Sequence, residues 1–573
     1  MKILSLHCDY IKFKPLKKAL KEPEELTEQR KQEITVNEAL VILTAVEAQD
    51  ESNPKIIEDY VNNIKDLAKQ VNPKAIVLYP YAHLSHSLSK PGFALETLKK
   101  AEKELSKGYK VTRAPFGYYK EFELKCKGHP LSELSRSIGD NKEKSSSIPV
   151  KIIPKDEVID PRILLKEISK SKLDTSKLKD NDHRIIGKQM DLFSFSDMAP
   201  GMVFWHNDGW IIYNKLIEYW RNEHELAGYQ EISTPQILDK KLWLISGHWD
   251  KYKENIFLTE YEGREFAVKP MNCPGGMLVY KNSQKSYKDF PLKIAELGIV
   301  HRQELSGVVG GLFRVIQITQ DDAHIFCTEQ QLEDEIIKII DLISKIYKKF
   351  NIEFDHVELS TRPEKRIGSD KVWDKAETIL EKVLKKKKMN FKINPGDGAF
   401  YGPKIDFHIR DSLGRNWQTS TIQLDFAMPE RFDLVYKDNN NEDKRPVMLH
   451  RTVLGSFERF IGILLEHTNG RLPFWLAPKQ IRIINFTDRN TKACERLEKL
   501  LKEKRFRVDT DLKSEPINGK IKEAELLKIP YIVVIGDKEE KDNNLAVRYQ
   551  GKVSFLKEKE FIERIIKEDK DKT

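Results

Sequence analysis

Two short segments pair arginine with glutamate or glycine in a way suited to holding a nucleotide. Residues 301–304, His-Arg-Gln-Glu, end a predicted strand, and Arg314 follows on the next predicted strand, whereas 455–459 open an apolar helix with Gly455 and Arg459. Planar guanidinium groups match phosphate oxygens better than ammonium groups do. The sequence has no Walker loop and no dinucleotide fingerprint, so the predicted nucleotide site is of another kind. Taken singly, each segment also fits a surface ion pair or an ordinary helix cap.

Three residues with metal-binding side chains, Cys273, His324 and His450, lie far apart in the sequence. Their separation is not that of a zinc finger. A solitary cysteine or histidine more often packs or hydrogen-bonds inside a core. Cys327 follows His324 by three positions and is a competing ligand, for which we predict a core position. Spacing alone leaves the metal and core interpretations open.

The composition indicates a multidomain globular protein. The chain has 573 residues, 39% of them hydrophobic and 33% charged, and a net charge of +9 that only weakly favours a polyanionic partner. No apolar run approaches the roughly 18 residues of a membrane span. The N-terminus carries charged and aromatic residues too early for a signal peptide. Five widely spaced cysteines exclude a disulfide scaffold, and we expect a cytoplasmic protein.

Hydrophobic periodicity divides the chain into four segments. Residues 1–138 alternate strand-like and helix-like patterns, with a clear helical period over 54–71. Residues 139–182 are polar and are predicted to be a linker. Residues 183–475 contain many short strand-like runs, typical of an antiparallel sheet flanked by helices. Residues 476–573 alternate strands and helices as in a small α/β domain with a largely parallel sheet, and its last residues, from Lys567, are expected to fray. The predicted fold class is thus a multidomain α/β protein with an α+β core.

The two nucleotide-binding segments resemble motifs 2 and 3 of class II aminoacyl-tRNA synthetases. The resemblance implies that Arg302 contacts the α-phosphate of ATP, that Glu304 accepts from the adenine amino group and that Arg459 holds the γ-phosphate. Pro235 fits the proline of motif 1, near the dimer interface of this class. The further ATP contacts implied by the resemblance are Arg314, Gln418, Thr421 and Ser456.

Six more segments resemble threonyl-tRNA synthetases, in the same order and over almost all of 183–573: 199–209, 247–250, 269–274, 319–327, 398–404 and 423–426. This implies a class II catalytic domain over 183–475 and an anticodon-binding domain over 476–573. It also implies one Zn²⁺ per subunit on Cys273, His324 and His450, and Mg²⁺ with ATP. Three protein ligands leave an open coordination position, as in active-site zinc sites.

The open position accounts for the choice of amino acid. Threonine can chelate zinc through its amino and hydroxyl groups, whereas valine would leave the metal unsatisfied. By resemblance, Asp322 receives the hydroxyl proton, and the pocket is completed by Gln320, Tyr401 and Gln423. The zinc is expected to select the substrate and not to generate hydroxide. Lys404 is expected to support the phosphates or the transfer step, and His248 to assist the ribose 2′-hydroxyl or the phosphates.

Serine lacks only a methyl group, which is worth about 1–3 kcal/mol or roughly 10–200-fold, so a second, hydrolytic site is expected. Segments 81–84, 114–120 and 126–136 resemble the archaeal-type editing domain of threonyl-tRNA synthetases, which is similar in fold to D-aminoacyl-tRNA deacylases. The resemblance covers 1–138 and implies an editing site formed by His83, Tyr119, Lys120 and Glu133. The alternative for this region is a metal site formed by His83, His86, Cys126 and His129.

The resemblance assigns anticodon reading to Asn485, Glu515, Lys520 and Lys522. Lys522 stands where the family usually has arginine, and the planar fork is lost. Gly276 and Gly310 stand where the family commonly has histidine, so the transfer step is expected to differ in detail.

The sequence therefore resembles archaeal-type threonyl-tRNA synthetases. The resemblance implies a cytoplasmic homodimer without membrane association, which joins L-threonine to tRNA(Thr) with ATP and hydrolyses seryl-tRNA(Thr). Two alternatives are a synthetase for serine or proline and an inactive synthetase-like protein that only binds RNA. The complete set of metal-type residues with Asp322 argues against the first, and the intact Arg302, Glu304 and Arg459 argue against the second.

Overall fold

A computed structural model describes residues 1–20, 23–85, 87–129, 132–138, 178–249, 253–304 and 310–572. The chain forms two compact units, Met1–Glu157 and Val158–Thr573. Of the predicted linker, 139–177 lies outside the described residues. Within the described part of the chain, no helix combines the length and apolarity required to cross a bilayer.

The first unit is a mixed sheet with helices. Its strands are β1 (Lys2–Lys18), β2 (Ile34–Ala45), β3 (Ala75–Pro80), β4 (Val111–Arg113), β5 (Tyr118–Cys126) and β6 (Glu133–Ser137), and its helices are α1 (Glu28–Lys31), α2 (Ile56–Val71) and α3 (Pro91–Leu105). The strand order is β4-β3-β2-β1-β5, and β6 also pairs with β1. The helical period expected over 54–71 corresponds to α2, whose buried face includes Ile56, Tyr60 and Ile64. These side chains pack with Leu98 of α3 against the sheet.

The large sheet of the second unit has eight strands in the order β16-β15-β17-β18-β21-β14-β13-β9. All neighbours pair antiparallel except β15 with β16 and β13 with β9. Its strands are β9 (Gln230–Glu231), β13 (Leu292–His301), β14 (Gln317–Cys327), β15 (Phe354–Ser360), β16 (Phe391–Asn394), β17 (Lys404–Arg410), β18 (Asn416–Asp425) and β21 (Val447–Thr452). The predicted antiparallel sheet with flanking helices is confirmed.

Helices and short strands surround this sheet. The helices are α4 (His183–Gln189), α5 (Asn207–Leu226), α6 (Lys240–Ser246), α7 (Cys273–Lys281), α8 (Leu332–Lys349), α9 (Asp370–Lys386), α10 (Ala427–Arg431) and α11 (Phe457–His467). The strands are β7 (Phe193–Ser194), β8 (Phe204–Trp205), β10 (Ile237–Asp239), β11 (Leu258–Tyr261), β12 (Arg264–Val268), β19 (Tyr436–Lys437) and β20 (Asp443–Lys444). Arg314 was expected on a strand but precedes β14, because Gly310 and Arg314 form a bridged turn first.

The C-terminal sheet has the order β23-β22-β24-β25-β26. Its elements are β22 (Ile481–Asn485), α12 (Thr491–Glu503), β23 (Val508–Asp511), α13 (Ile517–Leu526), β24 (Tyr531–Ile535), α14 (Asp537–Asp542), β25 (Asn544–Tyr549), β26 (Lys552–Lys557) and α15 (Glu558–Asp571). Strands β23, β22 and β24 are parallel, as predicted, whereas β25 and β26 add an antiparallel hairpin. The expected fraying from Lys567 is wrong, because α15 continues to Asp571, with Tyr531 Oη donating to Glu568 Oε2 at 2.6 Å and Gln480 Nε2 to Asp569 Oδ1 at 3.1 Å.

Candidate active site

The three metal-type side chains converge on the large sheet. Cys273 begins α7, and His324 and His450 face each other across the antiparallel pair β14 and β21. One ligand atom from each lies within 4.8 Å of the other two, and all three residues are buried. Burial lowers the pKa of His324 to about 4, which keeps its ring neutral as a ligand must be. Burial also raises the pKa of the Cys273 thiol well above its usual value, and a metal ion would displace that proton.

Neighbouring side chains orient this group. His450 Nε2 lies 2.8 Å from Asp425 Oδ2, an outer carboxylate of the kind that fixes the rings of metal-binding histidines and that leaves Nδ1 as the ligand atom. His324 Nε2 is buried and has no hydrogen-bond partner among the described residues. It lies 3.9 Å from Asp322 Oδ2. An unpartnered nitrogen, a thiol and an oriented imidazole fit a soft or borderline metal ion such as zinc.

Strand alternation separates site residues from core residues on β14. Gln320, Asp322 and His324 share one face, and Asn272 Nδ2 lies 3.5 Å from Gln320 Oε1 and 3.3 Å from Asp322 Oδ2. Cys327 lies on the opposite face and is fully buried in the main hydrophobic core. Its predicted core position is confirmed.

The other residues predicted for the amino-acid pocket lie around His450. Gln423 faces His450 across β18 and β21 and donates to the Gly402 carbonyl at 3.2 Å. The Tyr401 ring centroid lies 5.2 Å from that of His450 and 6.2 Å from that of His248. His248 is fully buried with Nδ1 2.8 Å from Ser246 Oγ, and burial lowers its pKa to about 3. His248 is therefore neutral at physiological pH.

Three arginines approach one another beside the sheet. Arg459 Nε donates to the Phe313 carbonyl at 3.0 Å and Nη1 to the Gln418 carbonyl at 3.1 Å. Arg314 Nη2 lies 2.8 Å from Glu304 Oε2, and Arg302 Nε donates to the Pro270 carbonyl at 3.0 Å. Burial lowers the pKa of Arg459, and the charges of Arg314 and Arg302 lower it further. Such a concentration of positive charge favours a polyanion such as a triphosphate.

Asp406 joins several residues predicted to contact ATP. Its Oδ1 accepts from Gln418 Nε2 at 2.5 Å and from Thr421 Oγ1 at 2.8 Å, and its Oδ2 lies 2.8 Å from Lys404 Nζ. Asp406 is buried, and hydrogen bonds are stronger in a low-dielectric environment, so it holds the Gln418, Thr421 and Lys404 side chains in place. No sequence pattern singles out Asp406, although it lies two positions from Lys404 on the same strand face.

Asp321, which the sequence analysis also missed, attaches β14 to the start of α11. Its carboxylate accepts from the backbone N–H groups of Val453 and Leu454 at 2.9 Å and of Gly455 at 3.0 Å. Burial raises the pKa of Asp321 to about 6. Ser456, the N-cap residue of α11, accepts from the Arg459 N–H at 3.1 Å. The fold thus positions the Arg459 turn relative to the strand that carries Asp322 and His324.

The first unit contains a separate cavity of about 500 Å³. Its lining includes His83, Tyr119 and Lys120, three of the four residues predicted for editing. Lys120 Nζ donates to the carbonyls of Pro115 at 3.0 Å and Tyr118 at 3.1 Å, and burial lowers its pKa to about 8. Glu133 is exposed on β6 opposite Leu6 and is not part of this lining.

The alternative metal site in this region finds no support among the described residues. His129 Nε2 lies 2.8 Å from His7 Nδ1, and Cys126 Sγ lies 3.5 Å from the His7 and Ser132 carbonyl oxygens. Among the described residues, no cluster of possible metal ligands contains Cys126, His129 or His83. His86 lies outside the described residues.

The four residues predicted to read the anticodon fall into two pairs. Lys520 Nζ donates to Asn485 Oδ1 at 2.7 Å, and both side chains are buried. Glu515 and Lys522 are exposed. The first pair supports the fold around β22 and α13, and only the second is freely accessible to a nucleic acid.

Gly276 and Gly310, which are expected to stand where the family has histidine, leave different amounts of room. A Cβ atom at Gly276 would lie 3.4 Å from His324 Nδ1, whereas one at Gly310 would meet no described atom within 4 Å. A Cβ atom at 276 would therefore be in van der Waals contact with a candidate metal ligand.

Three family models match the chain. They are the Archaea-specific editing domain of threonyl-tRNA synthetase over residues 1–138, the tRNA synthetase class II core domain (G, H, P, S and T) over 257–468, and an anticodon binding domain over 480–568. The threonine–tRNA ligases of Acetivibrio thermocellus and Clostridium botulinum are each 52% identical to it, over 396 and 397 residues. These matches cover 69% of this chain, and the chain spans 62% of the length of these relatives.

A crystal structure described as the RNA binding domain of threonyl-tRNA synthetase from Cryptosporidium parvum is 40% identical, with a TM-score of 0.66. The match covers 67% of this chain and 98% of that structure. Together with the converging metal-type residues and the arginine cluster, these similarities show that the chain belongs to the threonyl-tRNA synthetase family.

Proposed function

We propose that this protein is a threonine–tRNA ligase that activates L-threonine with ATP and transfers it to the 3′ end of tRNA(Thr). The observation that carries the proposal is the buried group of Cys273, His324 and His450 beside Asp322 and Gln320. When bound there, Zn²⁺ would supply a Lewis-acidic position for the amino and hydroxyl groups of threonine. Asp322 would accept the hydroxyl hydrogen bond and proton, and Gln320, Gln423 and Tyr401 would orient the substrate.

The arginine cluster supports ATP as the second substrate. Arg302 would neutralise charge developing on the α-phosphate as the carboxylate attacks, and Arg459 would hold the γ-phosphate. Glu304, whose Oε2 lies 2.8 Å from Arg314 Nη2, would accept from the adenine amino group. Mg²⁺ would accompany ATP and offset its phosphate charge.

Editing of seryl-tRNA(Thr) is proposed for the cavity in the first unit. His83, Tyr119 and Lys120 line it. A pKa of about 8 leaves Lys120 able to exchange a proton near neutral pH. Glu133 lies on β6, opposite Leu6 and outside this lining, and is not part of the proposed site. A cytoplasmic location and a homodimer are also proposed, on the similarity to synthetases.

Amino-acid-dependent exchange of pyrophosphate into ATP tests the proposed activation step. Exchange should be strongest with threonine, roughly 10–200-fold weaker with serine, and weaker still with valine. Removing zinc with a chelator should abolish exchange, and added zinc should restore it. Exchange with proline or serine as the best substrate, unaffected by chelation, would favour a different synthetase. Absence of exchange with every amino acid in zinc-loaded protein would favour an RNA-binding relative without catalysis.

A further inference from the structure

His183, the first residue of α4, is a buried histidine that makes two separate contacts within the second unit. Only 1% of its surface is exposed. Its Nδ1 lies 2.7 Å from Glu466 Oε1, near the end of α11, and the Leu312 backbone N–H donates to its Nε2 at 2.9 Å. One imidazole therefore bridges α11 and the turn of residues 310–314 that precedes β14.

These partners fix the protonation state of the ring. An ionised carboxylate can only accept, so Nδ1 carries the hydrogen, and a backbone N–H can only donate, so Nε2 presents its lone pair. His183 is therefore neutral in this arrangement. Asp182, His183 and Glu466 lie close enough to share a metal ion, but both nitrogens of the ring are already used. The group is a set of hydrogen bonds and not a metal site.

The turn is shaped to admit the imidazole. Gly311 has φ of +52°, and a Cβ atom there would lie 2.2 Å from His183 Nε2. Glycine is the residue that tolerates both the positive φ and the close approach. The Phe313 ring then meets the His183 ring edge-on, with centroids 4.3 Å apart and planes 70° apart. The contact between His183 and Leu312 thus depends on a glycine at 311.

The same turn orients Arg459. The Phe313 carbonyl accepts from Arg459 Nε at 3.0 Å. The Phe313 ring stacks on Trp417 with centroids 4.6 Å apart and planes 18° apart, and the Arg459 guanidinium lies 5.6 Å from the Trp417 ring centroid. A shift of Leu312 and Phe313 would therefore move the acceptor and the aromatic surface that hold Arg459.

The other contact of His183 holds the far end of α11. The buried Glu466 carboxylate accepts from His183 Nδ1, from the His183 backbone N–H at 3.2 Å and from Arg415 Nη2 at 2.6 Å. Arg459 lies about two turns before Glu466 on this helix. His183 thus joins the helix that carries Arg459 to the turn that orients it.

We propose that His183 is a positioning residue for ATP. It is buried and acts through the turn: Nε2 holds Leu312 in place, Phe313 follows, and Arg459 is oriented toward the γ-phosphate. The bond from Nδ1 to Glu466 contributes to the stability of the fold and not directly to the orientation of Arg459. This inference rests on the proposed function, because it assigns Arg459 to ATP.

Two substitutions separate the two ring nitrogens. In His183→Asn, the side-chain amide reaches the place of Nδ1 and can still donate to Glu466, but the acceptor for the Leu312 N–H is lost. In His183→Gln, the longer side chain brings an amide oxygen to the place of Nε2 and can still accept from Leu312. Both variants lose the ring. His7→Asn, which replaces a buried histidine of the first unit, is the control.

The pyrophosphate-exchange assay on the full chain measures the consequence. His183→Asn should raise the KM for ATP roughly 10- to 100-fold, because an unpaired N–H lets the turn shift. The KM for threonine should stay near the wild-type value, and His183→Gln should restore most of the ATP affinity. Both variants should lower the melting temperature, since each loses one buried hydrogen bond. A merely structural role would affect the two variants alike.

Calorimetric binding of ATP with Mg²⁺ tests the inference without turnover. In an Arg459→Ala background, His183→Asn should cause little further loss of ATP affinity, because the displaced carbonyl no longer has its donor. Equal ATP affinities of His183→Asn and His183→Gln, or an additive loss in the Arg459→Ala background, would overturn the proposal. Absence of exchange in the wild type would reject the proposed function, and the binding data would still decide the role of His183.

Discussion

Cys273 and His324 illustrate how little a single buried residue reveals. The described chain also buries Cys8, Cys327 and Cys494, and burial raises the pKa of each thiol to about 12. What distinguishes Cys273 is the pair of imidazoles within reach of its sulfur. The resemblance to synthetases predicted these three ligands, but composition and spacing did not separate them from core residues. Only their convergence makes them a candidate metal centre.

At the residue scale, Arg302→Ala should abolish measurable pyrophosphate exchange. Loss of one group that stabilises the transition state costs about 100- to 1,000-fold in rate. The measurement is threonine-dependent exchange at saturating ATP. Arg221→Ala removes a surface arginine that pairs with Glu231 and is the matched control. Near-normal exchange in Arg302→Ala would contradict the assignment of residues 301–304 to the ATP site.

Lys120 should lose its proton at a lower pH in the folded protein than in the unfolded chain. Burial disfavours the ammonium form and lowers the pKa of Lys120 to about 8, against about 10.4 for an ordinary lysine. Competitive acylation, quantified by mass spectrometry across pH, measures this directly. The same residue in urea-denatured protein is the control, and half-labelling at one pH in both states would contradict the shift.

The same pKa difference determines how the free energy of unfolding changes with pH. Between about pH 8 and pH 10.4 the unfolded state holds the proton that folded Lys120 has released. The contribution of Lys120 to the free energy of unfolding therefore rises with pH across this window. Below about pH 8 the burial cost of the charged amine is fully present.

At the scale of elements, the connection between β21 and α11 positions Arg459. Gly455 has φ of +81°, and a Cβ atom there would lie 2.6 Å from the Thr419 carbonyl oxygen. Gly455→Ala should therefore shift the turn that Asp321 holds and raise the KM for ATP in the exchange assay. Gly396→Ala is the matched control, because Gly396 has φ of +84° and a Cβ there would meet no described atom within 4 Å.

Comparing Gly455→Ala with Gly396→Ala separates the effect of backbone strain from that of the close approach to the Thr419 carbonyl oxygen. Both variants incur the cost of a left-handed alanine, about 1 kcal/mol. Only Gly455→Ala should also impair ATP binding. Equal effects of the two variants on thermal stability and on the KM for ATP would show that the close approach to Thr419 has no role in positioning Arg459.

Helices with a strong apolar period were predicted well and edge strands poorly. The period over 54–71 corresponds to α2 because one face is buried along its whole length. The hairpin of β25 and β26 was missed, since Val553 and Phe555 are exposed apolar residues that obscure the alternation of a half-buried strand. The turn before β14 was missed because it is defined by a backbone bridge between Gly310 and Arg314, and no hydrophobic period marks such a bridge in the sequence.

At the scale of the whole molecule, the first unit should determine whether serine accumulates on tRNA(Thr). The full chain and a chain that starts near residue 140 should both charge threonine, which is the control. Only the shortened chain should build up seryl-tRNA(Thr), because the metal site distinguishes serine from threonine by about 1–3 kcal/mol alone. Equal seryl-tRNA levels in the two proteins would mean that the first unit does not edit or that the pocket rejects serine unaided.

The sequence by itself determined the fold class, the order of the motifs and the kinds of side chain available for phosphate and metal binding. Helical periods and the resemblance of ordered segments are local properties, so they can be read without coordinates. Only the tertiary structure decided that Asp425, Asp406 and Asp321 position the site, and that Glu133 lies outside the cavity of Lys120. It also placed His183 between Leu312 and Glu466. Distances between residues on different strands depend on sheet register and packing, which no local pattern encodes.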